Sequence, residues 1–157
     1  MCVSLNVSTS KMVEDFKDLR VYQRALEGSM KIFELSKDWP KEEKYSLTDQ
    51  IRRSSRSVCA NIGEAWHKRL YEDHFVSKLS DASSEAAETI VWLDIAQNCE
   101  YLEPNQAKQF ERSYREIIGG LVSMIDQSDK WCGPSGTVQE ELATYEPPGS
   151  SSDSDRS

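Results

Sequence analysis

Three arginines, Arg52, Arg53 and Arg56, fall within five residues, inside the stretch QIRRSSRSVCANIGEAW at residues 50–66. They stand in a chain of 157 residues whose formal net charge is −8. A guanidinium is a planar fork of donors that pairs with carboxylates and phosphates. No lysine accompanies the three, and the cluster fits three tasks. It could grip a phosphate backbone or make ion pairs at a subunit interface. It could also line the wet side of a helix with i, i+4 pairs worth about 0.3–0.5 kcal/mol each.

The other residues suited to chemistry are Glu64, His67, Glu72, Asp73 and His74. Carboxylate–histidine work needs these groups on one surface. His67 and His74 would share a face of a continuous helix, but a break near 69–70 separates them. There is no HExxH, no paired ExxH of the kind that holds two irons, no nucleophile elbow and no glycine-rich phosphate loop. The EDH at 72–74 reads as first-turn acids favoured by the helix dipole. Cys2, Cys59, Cys99 and Cys132 form no CxxC and no cysteine–histidine cluster, which suits scattered reduced thiols in a cytoplasmic protein. The residues therefore point away from an enzyme, with no cofactor, no metal and no small-molecule substrate.

No run approaches the ~18 apolar residues of a membrane span. The N-terminus lacks the charged and apolar regions of a secretory signal, and Met12 is an alternative start. Both ends differ from the middle. Residues 1–15 are polar and aperiodic. Residues 133–157 hold three of the five prolines, many serines and five acids against one arginine. Both are expected to be disordered tails, the second an acidic Pro/Ser-rich one. With them set aside, residues 16–132 carry 17 basic and 20 acidic side chains, a net of −3, so much of the acidity is in the C-terminal tail.

The middle is expected to form four helices, over about 18–37, 46–68, 71–100 and 104–130. The first carries Leu19, Tyr22, Leu26, Phe33 and Val21, Ala25, Ile32, Leu35 as two apolar rows, and Trp39-Pro40 stops it. Ser46 is the expected N-cap of the second, whose stripe is Leu47, Ile51, Val58, Ile62 and Ala65. The third follows Phe75, Leu79, Ala82, Ala86, Ile90, Leu93 and Ala96, with many small side chains that admit a close neighbour. Pro104 opens the fourth, which runs through Phe110, Tyr114, Ile117, Leu121, Met124 and Ile125. Short connections make neighbours antiparallel, so the expected fold is all-α: an up-and-down four-helix bundle over 16–132. On a wheel with Ile51 at zero, Arg52, Arg56 and Arg53 fall at about 100°, 140° and 200°, away from the core stripe. Asp49 stands four residues before Arg53, and Ser57, Asn61 and Glu64 lie on the other flank. Trp66, Tyr71, Trp92 and Trp131 could stack on bases, though large side chains at helical spacing more often pack in a core or interface.

These residues carry a resemblance. FKDLRVYQRA at 16–25 is similar to F-x-D-L-x-V-W-Q-x-A, and YSLTDQIRRSSRSVCANIGEA at 45–65 to Y-x-L-x-x-Q-I-R-R-A-x-x-S-I-x-x-N-I-A-E-G. Both patterns are those of the four helix bundle proteins, also called 23S ribosomal RNA intervening sequence proteins. Tyr22 stands for the usual Trp, Gly63 for Ala and Ala65 for Gly, and FVSKLSDASSEAAE matches the third helix more loosely. The resemblance covers about 16–125. It implies an antiparallel bundle, a ring-like homo-oligomer that is a pentamer, and no enzymatic activity. Members are encoded within insertions in bacterial 23S rRNA genes or elsewhere, and a similar fold is the accessory protein of diversity-generating retroelements, beside a reverse transcriptase and nucleic acid. Carried to matching positions, the implied interface residues are Gln50, Arg52, Arg53, Ser57, Asn61 and Glu64. With Arg56, these are the candidate site. The expected function is an oligomer that binds RNA, DNA or a nucleic-acid enzyme through them. The alternative is a structural oligomer whose arginines pair with carboxylates of a neighbouring subunit.

Overall fold

A computed structural model describes residues 12–133 and the backbone of 138–139. Four long helices dominate: α1 (Arg20–Ser36), α2 (Asp49–His67), α3 (Glu72–Asn98) and α4 (Pro104–Asp126). A single turn, α5 (Ser128–Trp131), follows a break at Gln127 in what the sequence reads as one helix to 130. α1 packs on α2 and α4, and α3 packs on the same two, so the helices close a four-sided bundle.

Cross-helix contacts fix the directions. The start of α2 meets the later part of α3 and its end the earlier part: Arg53 and Ser54 meet Glu88 and Thr89, whereas Glu64 meets Lys78. Between α1 and α4 the same order holds, with Val21 against Gly120, Arg24 against Glu116 and Gly28 against Tyr114. Between α1 and α2, Ser29 meets Ser55 and Ser36 meets Arg52. Sequential neighbours are antiparallel.

The apolar stripes read from the sequence form the core. Leu47, Ile51, Val58, Ile62 and Ala65 are all buried, as are Phe75, Leu79, Ala82, Ala86, Leu93 and Ala96. Tyr114, Ile117, Leu121 and Met124 supply the α4 side. Trp66 and Trp131 meet edge to face at 6.3 Å, and both are buried, so neither is a surface for bases. Leu26 departs from the reading of the first helix: it is exposed, because the α1 stripe that faces the core is Val21, Ala25 and Ile32.

The helix ends show why the boundaries differ. Asp15 and Asp18 cap a 3-10 turn at Phe16–Asp18, and Asp18 accepts the Glu14 and Asp15 amides at 3.1 Å each. Met12–Val13 pairs antiparallel with Val138–Gln139, and Val13 is buried. Described structure thus begins at Met12, and residues 12–15 and 138–139, expected in the tails, take part in it. The remainder of both tails, 1–11, 134–137 and 140–157, lies outside the described residues. Ser46 is not an N-cap. Lys44–Thr48 forms a π-helical turn ahead of α2, within which Ser46 donates to Glu43 at 2.6 Å. α3 ends on Glu100 at φ 62, with the Tyr101 amide bonded back to the Ala96 carbonyl at 2.9 Å, as a left-handed cap requires.

Two glycines mark different constraints. A Cβ on Gly120 would lie 2.5 Å from Val21 Cγ1, so α4 approaches α1 there as only glycine permits. A Cβ on Gly63 would rest 3.7 Å from the Phe16 ring, in ordinary contact. Gly63→Ala is therefore expected to stabilise the fold by up to about 1 kcal/mol through helix propensity. Gly120→Ala is expected to destabilise it by about 1–3 kcal/mol through overpacking. Denaturant midpoints for the two variants check both signs.

Candidate nucleic-acid interface

The three arginines of α2 go to three different places. Arg52 lies on the flank against α1, half-buried rather than fully outward. Its Nε donates to Ser36 Oγ at 2.8 Å and a terminal nitrogen reaches the Phe33 carbonyl at 3.4 Å. A cation on the last-turn carbonyls of α1 complements that helix's negative end. Arg53 reaches the other way, pairing with Glu88 and lying 3.6 Å from Glu85 on α3. The i, i+4 partner suggested by sequence, Asp49, is not the one it uses. Arg56 is exposed and makes no ion pair among the described residues; its guanidinium lies 5.7 Å from the Phe33 ring.

Phe33 gathers these charges. Lys37 Nζ sits 4.7 Å from the ring centroid and the Arg52 guanidinium 4.8 Å, with Arg56 beside them. Ring quadrupoles attract cations at such distances, by about 0.5–1 kcal/mol at exposed sites. Three cations from two helices thus share one half-buried phenylalanine that no motif marks. Lys37 is balanced by Glu34 at 3.0 Å. Arg53 is neutralised by its two glutamates and adds little positive field. Arg56 and the outer edge of Arg52 remain.

Of the other candidate residues, Ser57, Asn61 and Glu64 are satisfied along or across α2. Asn61 Nδ2 donates to the Ser57 carbonyl at 3.0 Å and lies 3.2 Å from its hydroxyl, so the pair is internal to the helix. Glu64 pairs with Lys78 on α3 at 3.1 Å, not with Arg53. Gln50 is half-buried with no side-chain hydrogen bond among the described residues. Beneath this face, Thr89 Oγ1 and Ser54 Oγ lie 2.9 Å apart in the core.

Local charge follows these contacts. The Trp92 indole N–H, 3.1 Å from Glu88, and then Arg53 hold that carboxyl below the usual carboxylate range, against the effect of burial. Glu88 in turn raises Arg53. Burial pushes the Cys59 thiol up to about 11, which leaves it protonated and unreactive at neutral pH. His67 packs on Phe16 at the end of α2 while His74 packs on Tyr71 at the start of α3. Among the described residues no three of His, Cys, Asp and Glu gather as a metal-holding group, and no helix is long and apolar enough to cross a membrane.

Comparison with known proteins matches residues 17–123 to the model of the 23S rRNA-intervening sequence protein family. The chain belongs to that family. A crystal structure from Bacteroides thetaiotaomicron, described as a protein of unknown function from the S23 ribosomal protein family, is 34% identical. It matches with a TM-score of 0.61 over 68% of this chain and 95% of that one. No curated protein matches. Within the family pattern, the paired arginines at 52 and 53 are here divided between the end of α1 and the acids of α3.

That division makes distinct predictions. Arg52→Ala should lower stability by about 1–2 kcal/mol, since it removes charged hydrogen bonds and packing. Arg56→Ala should stay within about 0.5 kcal/mol of the parent. Chemical melts separate the two. A folded-state carboxyl pKa below its unfolded value stabilises at pH above that value and ceases to do so as pH falls through the folded one. Glu88→Gln should accordingly cost about 0.2–1 kcal/mol near neutral pH and nothing in strong acid, with the difference shrinking in ~1 M salt. Paired melts of parent and variant across pH measure it.

Proposed function

We propose that this protein is a non-enzymatic, cytoplasmic homo-oligomer, a pentameric ring, that binds nucleic acid or a nucleic-acid-processing protein through the outer face of α2. The observation that carries the reading is the gathering of Lys37, Arg52 and Arg56 around Phe33, with Arg56 free of any acid among the described residues. The ring fixes the cations in place before a ligand arrives, which lowers the entropic cost of binding. One protomer offers little net positive charge, because Glu34 answers Lys37 and the α3 glutamates answer Arg53. Repetition around a ring would multiply what one copy lacks. Neither a cofactor nor a small-molecule substrate enters this reading.

A second reading, a purely structural oligomer, has its own support on α3. Ser84, Ala87, Val91 and Ile95 form an outward row, with Val91 53% and Ile95 40% exposed. Small and apolar side chains on the outer as well as the inner face suit a helix covered from both sides. In this second reading the arginine pairs are internal: Arg53 already has its carboxylates within the chain.

Light scattering on a sizing column, with absorbance at two wavelengths, tests both on protein purified at low salt. A multiple of the chain mass carrying a nucleic-acid signature that high salt removes is expected, since phosphate contacts release counterions. Combined Lys37→Ala and Arg56→Ala should abolish the signature and keep the mass; Val91→Glu should reduce the mass. An oligomer free of nucleic acid at low salt favours the structural reading, and a monomer excludes both.

A further inference from the structure

The face of α2 that carries Arg53 and Arg56 continues toward its N-terminus through Asp49 to Tyr45, all four exposed. Tyr45 is 81% exposed, and no other large apolar side chain among the described residues is more so. It sits in the π-helical turn Lys44–Thr48, a backbone form that occurs mostly as isolated turns and often at functional sites. That turn is braced from beneath. Glu43 accepts the Ser46 hydroxyl at 2.6 Å, the Leu47 amide at 3.4 Å and the Tyr101 hydroxyl at 3.1 Å. Tyr101 packs on the buried Trp39 and is set there by the left-handed cap that ends α3. A tyrosine with this much support and this little cover is an aromatic surface held out to solvent. One cation is already at hand, with Lys44 Nζ 5.2 Å from the ring centroid.

We propose that Tyr45 is the stacking platform for an unpaired base of a single-stranded nucleic acid whose backbone follows the outer face of α2 toward Arg56. This rests on the nucleic-acid reading above and narrows its ligand. A duplex keeps its bases paired and stacked and so offers Tyr45 no free base face, and Asp49, between Tyr45 and Arg53, repels a phosphate at that turn. A single strand can present a base there instead, because every base has a face to stack and stacking tolerates any sequence. Lys44 on one side and Arg56 beyond Asp49 are then the flanking phosphate contacts. The Phe33 ring does not share the role, since it is half-buried with both Lys37 and Arg52 against it, whereas Tyr45 is exposed with Lys44 alone beside its ring.

Fluorescence anisotropy with the full chain tests this, using a labelled oligouridine of about 16 nucleotides and an RNA duplex of about 16 base pairs. The parent should bind the single strand more tightly. Tyr45→Ala should weaken that binding by about 5- to 150-fold and change duplex binding less than about twofold, while Tyr45→Phe retains it. A side chain so exposed leaves the core intact on removal, and circular dichroism of each variant checks this. A single strand bound equally by parent and Tyr45→Ala, or a duplex bound more tightly, overturns the assignment and leaves the broader reading standing. Failure of both probes overturns the assignment together with the RNA-binding form of the broader reading. Loss of assembly mass in Tyr45→Ala with RNA affinity unchanged makes Tyr45 a subunit contact and also overturns the proposal.

Discussion

Everything in the bundle is arranged around the seam between α2 and α3. Its centre is apolar, with Ile51, Val58 and Ile62 facing Leu79, Ala82 and Ala86 in one core. Into it is set one buried polar pair, Ser54 with Thr89, whose hydroxyls lie 2.9 Å apart and find further acceptors in the Ile51 and Glu85 carbonyls. A sliding of either helix by one residue would part these hydroxyls and leave polar atoms in an apolar core, at about 1–3 kcal/mol for each group left unpaired. The ion pairs Arg53–Glu88 and Lys78–Glu64 lie on the rim at the same register. They are solvent-screened and worth little alone. Their importance is directional: the two helices carry opposite charge order along the seam, which disfavours the parallel alternative.

The same seam decides which arginines are available. A guanidinium on α2 reaches the helices packed directly beside it, so whatever flanks α2 claims it first. α1 presents the carbonyl-rich end of a helix and takes Arg52. α3 presents two glutamates one turn apart and takes Arg53. Arg56 faces neither and retains only the Phe33 ring. Three residues of one type in one run therefore acquire three roles. A positive run in a sequence is a count of charges, whereas a binding surface is the charge left after the fold has used its share.

This marks the limit of what the sequence discloses. Periodicity located the helices and nearly every core position, because burial on a helix depends on the phase of the residue and little else. The second helix's start was misplaced for the same reason: a π-helical turn at Lys44–Thr48 advances the phase differently from an α-helix, and Ser46 then mimics a cap while Glu43 is the group that accepts its hydroxyl. Arg52 stood near the edge of the outer arc, and a wheel carries no information about the neighbour at that edge. Phe33 looked like a core residue of the first helix, and nothing in its spacing marks it as the meeting point of Lys37, Arg52 and Arg56. Tyr45 opens a motif, yet the π-helical turn that carries it is braced by Glu43, which accepts the hydroxyl of Tyr101 at a sequence separation of 58.

Each side of the bundle leaves a buried polar atom without a hydrogen bond among the described residues, Tyr114 Oη on one and Glu85 Oε2 on the other. On the α1–α4 side, the Tyr114 hydroxyl has no hydrogen bond among the described residues, pressed close to Gly28, and burial pushes its pKa upward. Gly28 and Gly120 bring those helices together by removing side chains rather than by pairing polar groups. On the α2–α3 side, close packing is combined with a satisfied polar pair and two rim salt bridges. The α1–α4 seam is thus specified mainly by shape, with the single rim ion pair Arg24–Glu116, and the α2–α3 seam by shape, a buried polar pair and two rim ion pairs. The outer face proposed for ligands is built on the doubly specified side, where a side chain such as Arg56 is held at a fixed position by a backbone that has little freedom to slide.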